Sequence, residues 1–371
     1  MKKYLVLTLL ALLLLSGCTP KERPVENNAD PLVIGVFEPL SGLYGETGKE
    51  TMRGISLAHT MRSRAIGKPV ELAVYNTKSQ SFESANAVST LTDRGAIGLI
   101  GTFGSDSMRL AKPVIRAARV PTVTGSTSPD LKDAYWITQI SISDDEQAKA
   151  MASFADKHLH LKDIAIMIDA ETRYGSELAY TFEHYVPDYV NIYKVYYHTG
   201  ESRFHNEIDR LKKLPVDGVY CPGDGAASAY LVRAIRDAYP DIPVMGADRW
   251  ENPSFKSVGE DAVEGVYYTA HYARYETFNL ASDTFLELYR KKYGSEPTSY
   301  AAIGYDAYNL LLEAVVKTGS EDPKVVARYL RHLDSFDGAL GISKRFTSRS
   351  VPVLKQQGSR GTYVGSVEVE R

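Results

Sequence analysis

The chain has 371 residues, 44% of them apolar and 24% charged, with a formal net charge of -3. That length accommodates two ordinary domains or one large one, with a sizeable core. The small net charge excludes the basic footprint of a nucleic-acid binder and the acidic tail of a solvated interaction segment.

In chain order, the first feature is a leader. Met1-Lys2-Lys3 is a short positive segment, and Tyr4 to Leu15 is an apolar run too short to span a bilayer. Leu15-Ser16-Gly17-Cys18 follows. It resembles the bacterial lipobox, in which the leader is cut before the cysteine and the cysteine is acylated. The alternative is a plain secretory leader with an incidental cysteine; small residues directly before Cys18 favour lipidation. Residues 1–17 are therefore expected to be a lipoprotein signal peptide and Cys18 the lipidated residue, with several acyl chains giving stable anchoring. Residues 18–30 carry Pro, Asn and charges without apolar periodicity and are expected to form a flexible tether. Cys221 is then the one remaining cysteine, which excludes an internal disulfide, a CxxC pair and a cysteine-based zinc site.

From residue 32 short apolar runs alternate with longer amphipathic stretches. The runs are LVIGVF (32–37), VELAVY (70–75), AIGLIG (96–101), VPTVTG (120–125), IAIMID (164–169), VDGVYC (216–221), IPVMGA (242–247) and EGVYYT (264–269). Between them, Lys149 to Leu161 and Tyr300 to Val316 have helical spacing, and Ser143-Asp144-Asp145-Glu146 reads as a capping box. Pro129-Asp130-Leu131 reads as a helix opening, and residues 337–371 as a short mixed tail. The alternation predicts an α/β protein of βαβ units with mainly parallel sheets. A break near residue 142 predicts two Rossmann-like lobes.

In open parallel sheets, ligands bind beyond the carboxyl ends of the strands. The residues following each strand separate by chemistry. Tyr44, Ser105, Ser126 and Thr127 follow the early strands; Tyr174, Asp224, Asp248 and Trp250 follow the later ones. Between Thr122 and Ser128 five of seven residues carry hydroxyls. Hydroxyls and amides at a helix N-terminus suit an anion. A carboxylate suits an ammonium, and aromatic rings add cation–π attraction or flat walls. An α-amino acid carries both charges on one carbon. Each residue alone has a plainer reading, as N-cap, turn residue or packing; the pattern across the strand ends carries the inference.

The chain resembles the leucine/isoleucine/valine-binding proteins, type I solute-binding proteins of ABC importers, over roughly residues 32–347. The resemblance is carried by IGVFEPLSGLYGETG with MRGISLA, LIGTFGSDS, VPTVTGSTSPDL, DAETRYGSELA, VDGVYCPGDGAASAYLVRAIR, VMGADRW and YAAIGYDAYNLLLEAV. It implies a type I periplasmic binding fold, two lobes with parallel-type sheets hinged by three crossover segments, near 141–146, 268–275 and 332–338. The implied lobes are 31–143 plus 272–335 and 144–271 plus 336–371. By the same resemblance, Ser105, Gly125, Ser126 and Thr127 hold a ligand carboxylate and Asp248 takes the ammonium. Tyr44, Tyr174 and Tyr300 line the cleft. Asp224 departs from the pattern, standing where branched-chain binders tend to have an aromatic residue. Gly104 stands where some relatives have a disulfide cysteine.

The expected function is a lipid-anchored receptor in the cell envelope, facing the periplasm or exterior. It delivers an amino acid or similar zwitterion to ABC permease subunits, with no cofactor, no metal and no nucleic acid. The alternative is an envelope lipoprotein of the same fold that acts as a protein-interaction or ligand-sensing module. Rival chemistry finds no support. Gly42 and Gly48 are one residue too far apart for a phosphate loop, and Glu50 follows Lys49. No GxSxG or HExxH motif occurs, so no enzyme is expected.

Overall fold

The computed structural model describes residues 30–131, 135–273, 279–344 and 348–370. The leader, Cys18 and the tether up to residue 29 lie outside the described residues.

The first half of the chain alternates as the sequence predicts. It runs β1 (Leu32–Glu38), α1 (Gly45–Met61), β2 (Arg64–Ala65), β3 (Lys68–Asn76), α2 (Glu83–Asp93), β4 (Gly98–Gly101), α3 (Ser105–Ala118), β5 (Thr122–Thr124) and β6 (Ile137–Gln139). These strands form one sheet in the order β2-β3-β1-β4-β5-β6. All neighbours are parallel except the short β2–β3 pair. β1 is nearly continuous in buried side chains, because helices cover both faces of a parallel sheet. Pro129–Leu131, expected as a helix opening, forms a 3-10 turn.

The chain then builds a second sheet. Its elements are α4 (Asp144–Lys157), β7 (Asp163–Asp169), α5 (Arg173–Tyr185), β8 (Asn191–Tyr197), α6 (His205–Leu211), β9 (Gly218–Tyr220), α7 (Gly225–Ala238), β10 (Val244–Gly246), α8 (Pro253–Gly259) and β11 (Tyr267–Thr269). The predicted capping box starts α4: the Glu146 amide donates to the Ser143 hydroxyl, and Glu146 Oε2 accepts from the Ser143 amide at 2.8 Å. Helices α10 (Ser299–Thr318) and α11 (Pro323–His332) return to the first sheet, and α9 (Leu280–Tyr293) packs on α1 and α10. The chain ends with β12 (Ser335–Gly338), β13 (Gly341–Lys344), β14 (Ser348–Gln357) and β15 (Arg360–Glu370).

The last segment is therefore no short tail. β14 and β15 complete a seven-stranded sheet, β15-β14-β11-β10-β9-β7-β8, as its two antiparallel members. The ribbon β12–β13 is held against α10 instead. Asp306 of α10 accepts the Ala339 and Leu340 amides at 2.7 and 2.9 Å. So the third passage between the sheets follows Lys344 rather than falling at 332–338. The first passage spans 140–143, so the last three residues of the expected 141–146 already open α4, and the second follows β11. The two passages are tied together where the Ile142 amide donates to His271 Nδ1 at 3.2 Å.

The first lobe depends on close contact between α1 and α10, which places the start of α10 over the sheet. Gly54 of α1 faces the Ala301 carbonyl, and Gly304 of α10 faces the Thr51 carbonyl; a Cβ at either position would overlap the opposing backbone. The sequence motifs MRGISLA and YAAIGYDAY thus meet at their glycines. Gly304→Ala should destabilise the fold by about 1–3 kcal/mol, since two helix backbones would have to separate. Chemical denaturation measures it; an unchanged midpoint would show that α1 and α10 move apart freely.

Candidate functional site

The carboxyl ends of both parallel sheets converge on one cleft. From the first lobe come Tyr44 at the start of α1, Phe103 after β4, Ser105 at the first position of α3, the loop 125–128 after β5, and Tyr300 at the start of α10. From the second come Asp144 at the start of α4, Tyr174 in the first turn of α5, Asp224 before α7, Asp248 and Arg249 after β10, and His271 after β11. Contacts cross directly. The Tyr44 hydroxyl donates to Asp224 Oδ2 at 3.1 Å, Tyr300 donates to the Asp248 carbonyl at 3.2 Å, and Asn252 donates to Thr47 Oγ1 at 2.9 Å.

The hydroxyl cluster divides its work. Thr124 Oγ1 accepts the Ser126 amide, and the Ser126 hydroxyl donates to the Thr102 carbonyl at 2.7 Å. Ser128 is engaged with Asp130, Arg109 and Glu177. These three hold the loop in shape. The Thr127 side chain lies beside the Asp144 carboxyl and favours its ionised form. Ser105 Oγ accepts the Ser128 amide at 3.1 Å, so its own proton remains for another acceptor. Gly125 lies against Ile303 of α10, where a Cβ would come within 2.6 Å. Its role is to let the loop and helix meet.

Two carboxyl groups face these donors. Asp248 is buried and well supplied: Tyr174 donates to Oδ1 at 2.6 Å, and His271 Nε2 lies 3.2 Å from Oδ2. Because His271 Nδ1 accepts the Ile142 amide, Nε2 carries the proton and donates. Burial alone would raise the Asp248 carboxyl. The hydrogen bonds from His271 and Tyr174, with the charge of Arg249, hold it below the usual aspartate range instead. Asp144 is the opposite case. Its Oδ1 is buried and has no hydrogen-bond partner. Burial, reinforced by the Asp248 charge, pushes it up to about 7. One acid is ionised and satisfied; the other is short of a donor.

Asp224 does not stand alone. Arg249 Nη1 donates to its Oδ1 at 2.6 Å, and the guanidinium lies 3.6 Å over the Tyr174 ring. Burial would lower Arg249, but Asp224 above all holds it charged. Phe103 closes the group, 5.1 Å from the Tyr44 ring and 5.5 Å from that of Tyr300.

The structure thus brings together Tyr44, Ser105, Thr127, Tyr174, Asp224, Asp248 and Tyr300, and places Gly125 and Ser126 in the supporting loop. Trp250, two residues after Asp248, turns away and stacks on Phe255 in the second lobe's core. Asp144, Arg249, His271 and Phe103 belong to the cleft but are not legible as site residues. Asp144 reads in sequence as part of a capping box, and Arg249 as the middle of AspArgTrp. The signal for Arg249 was its place one residue from a strand-end acid. Cys221 is buried beyond β9, and burial pushes its thiol up, away from nucleophilic chemistry. Among the described residues no cluster of His, Cys, Asp and Glu could hold a metal ion.

Two α/β lobes whose strand ends meet at a cleft of donors, acids and aromatic walls define a solute-binding protein of the two-lobed type. The periplasmic binding protein family model matches residues 31–368, and the chain belongs to that family. It is 25% identical over 84% of its length to Leu/Ile/Val-binding protein homolog 3 of Brucella melitensis, covering 86% of that protein. It is 23% identical to a leucine-, isoleucine-, valine-, threonine- and alanine-binding protein of Pseudomonas aeruginosa, over 82% of this chain and 83% of that one. A leucine-binding protein of Thermotoga maritima superposes with a TM-score of 0.84 at 27% identity, over 91% of this chain and 98% of that one. The family is one of extracytoplasmic solute-binding receptors, not of enzymes. Among the described residues no helix is long and apolar enough to cross a membrane.

The state of Asp144 has a measurable consequence. Its ordinary value is 3.8 and its folded value about 7. Between them the folded chain holds a proton that the unfolded chain has lost, so this group's contribution is present below the lower value and lost as pH rises through the higher. Asp144→Asn should therefore raise the thermal midpoint of the ligand-free protein at about pH 8 and leave it unchanged at about pH 4. A lower midpoint at the higher pH would show that Asp144 is satisfied and ionised.

Proposed function

We propose that this chain is a lipid-anchored extracytoplasmic receptor that binds an α-amino acid, or a similar small zwitterion, between its lobes and presents it to ABC permease subunits. The observation that carries this reading is the unpartnered Oδ1 of Asp144, close to Asp248 and Thr127, with the Ser105 hydroxyl on the other lobe keeping its own proton to donate. A ligand ammonium supplies the donors that Asp144 lacks and the positive charge that relieves the two acids. A ligand carboxylate takes the Ser105 proton at the N-terminus of α3, where the helix dipole favours it. The names of the relatives support an amino acid as the ligand class. The lipobox at Cys18 supports the anchor.

The sheets and their helices are the two bodies that close, with the segments after β6, after β11 and before β14 acting as hinges. Tyr44–Asp224 and Asn252–Thr47 bridge the lobes and belong to the closed form. Ligand favours closure only through contacts that the open form lacks.

A thermal-shift screen of the soluble chain against the twenty amino acids tests the reading, since a ligand well above its Kd raises the midpoint by mass action. At least one should do so. No shift with any of them would favour an interaction or sensing module of the same fold. Asp248→Asn should weaken the best ligand by about 2–5 kcal/mol, because a buried ammonium loses its counter-charge. Ser105→Ala should cost only about 1–2 kcal/mol, since backbone donors remain. Calorimetry giving the reverse order would exchange the two ends of the ligand.

A further inference from the structure

We propose that the cleft selects an α-amino acid whose side chain ends in a neutral hydrogen-bond acceptor, foremost a primary amide, and that Arg249 with Asp224 reads it. This rests on the reading of the cleft as an α-amino-acid site.

Asp224 sits at the N-cap position of α7, yet its side chain makes no capping hydrogen bond. Its two oxygens accept instead from Arg249 and, across the cleft, from Tyr44. A capping aspartate in a solvated turn would do neither. A charge pair held this far inside a protein is costly unless its geometry and remaining hydrogen bonds are satisfied. The acceptors of Asp224 are engaged. The donors of Arg249 are not: the Nη1 bond to Asp224 is its single hydrogen bond among the described residues, and 12% of its side-chain surface stays exposed. What the pair still presents is N–H.

Charge decides which acceptor fits. Asp224 already matches the Arg249 cation, so an acidic ligand side chain would add an anion to a cleft that also holds Asp144 and Asp248. A basic side chain would approach a guanidinium. An aliphatic one would strip water from the free N–H groups and return nothing. A planar amide offers a carbonyl to the N–H edge of Arg249, whose guanidinium is itself held 3.6 Å over the Tyr174 ring and 5.6 Å from that of Phe103. Its own NH2 can donate to the Tyr44 oxygen.

The test is calorimetric titration of the full-length protein with glutamine, asparagine, leucine, glutamate and lysine. Glutamine or asparagine should bind at least about tenfold more tightly than the other three, as expected where buried polar groups reject a ligand that cannot pair with them. Leucine, glutamate or lysine binding as tightly as either amide would overturn this proposal while leaving the amino-acid reading standing. No binding by any of the five, nor by any other amino acid, would overturn both. The double variant Asp224→Asn/Arg249→Met removes both charges together. In it the amide-to-leucine affinity ratio should fall by about tenfold; an unchanged ratio would show that the pair does not read the side chain. Should the double variant fail to fold, the wild-type series decides alone.

Discussion

Two carboxyl groups share one buried cleft, and only one of them is provided for. Asp248 accepts hydrogen bonds from Tyr174 and His271 and stays ionised; Asp144 keeps one oxygen without a donor and is driven toward neutrality by its surroundings. An unpaired buried acceptor is unfavourable in a folded protein. In the proposed complex the ligand ammonium completes it. The remainder of the molecule arranges for that completion. Strand ends from two sheets carry donors to one side and acids to the other. His271 ties Asp248 to the segments on which the lobes would turn.

The same geometry links recognition to closure. Asp144 stands at the first position of α4, directly after the first passage between sheets, and its own amide donates to the Thr127 carbonyl at 3.0 Å. Asp248 is followed by Arg249, which meets Asp224, which meets Tyr44 of the opposite lobe. A ligand held by Asp144 and Asp248 would thus be linked to the first lobe and to one hinge through these contacts. Binding energy and closure are then coupled through a few named contacts rather than through the fold as a whole.

Much of this was legible in the sequence because parallel α/β sheets are locally encoded. Apolar runs mark the strands, the Ser143–Glu146 box marks a helix start, and Ser105, Thr127, Tyr174 and Asp248 fall at strand ends where ligands bind. The strand Asn191–Tyr197 escaped notice because it lies at the sheet edge, where alternating exposure breaks the apolar run. β14 and β15 escaped because antiparallel strands added from far along the chain depend on partners in β11 that no local pattern names. The site residues missed share a cause. Asp144 has a sufficient local role as a first-turn acid, and the pairing of Arg249 with Asp224 spans 25 positions. Their function is a property of the assembled cleft. The departure at Asp224, visible as an oddity in the sequence, became intelligible only once its partner was seen.

The most direct test of this account is the proton balance of binding. Calorimetry with the tightest-binding amino acid, at about pH 7 in buffers of different ionisation enthalpy, counts protons released or taken up. If the ligand ammonium completes Asp144, a carboxyl that titrates near 7 is driven to ionise, and binding releases a fraction of a proton that disappears in Asp144→Asn. Binding with no proton release, or with uptake, would mean that the ammonium does not meet Asp144.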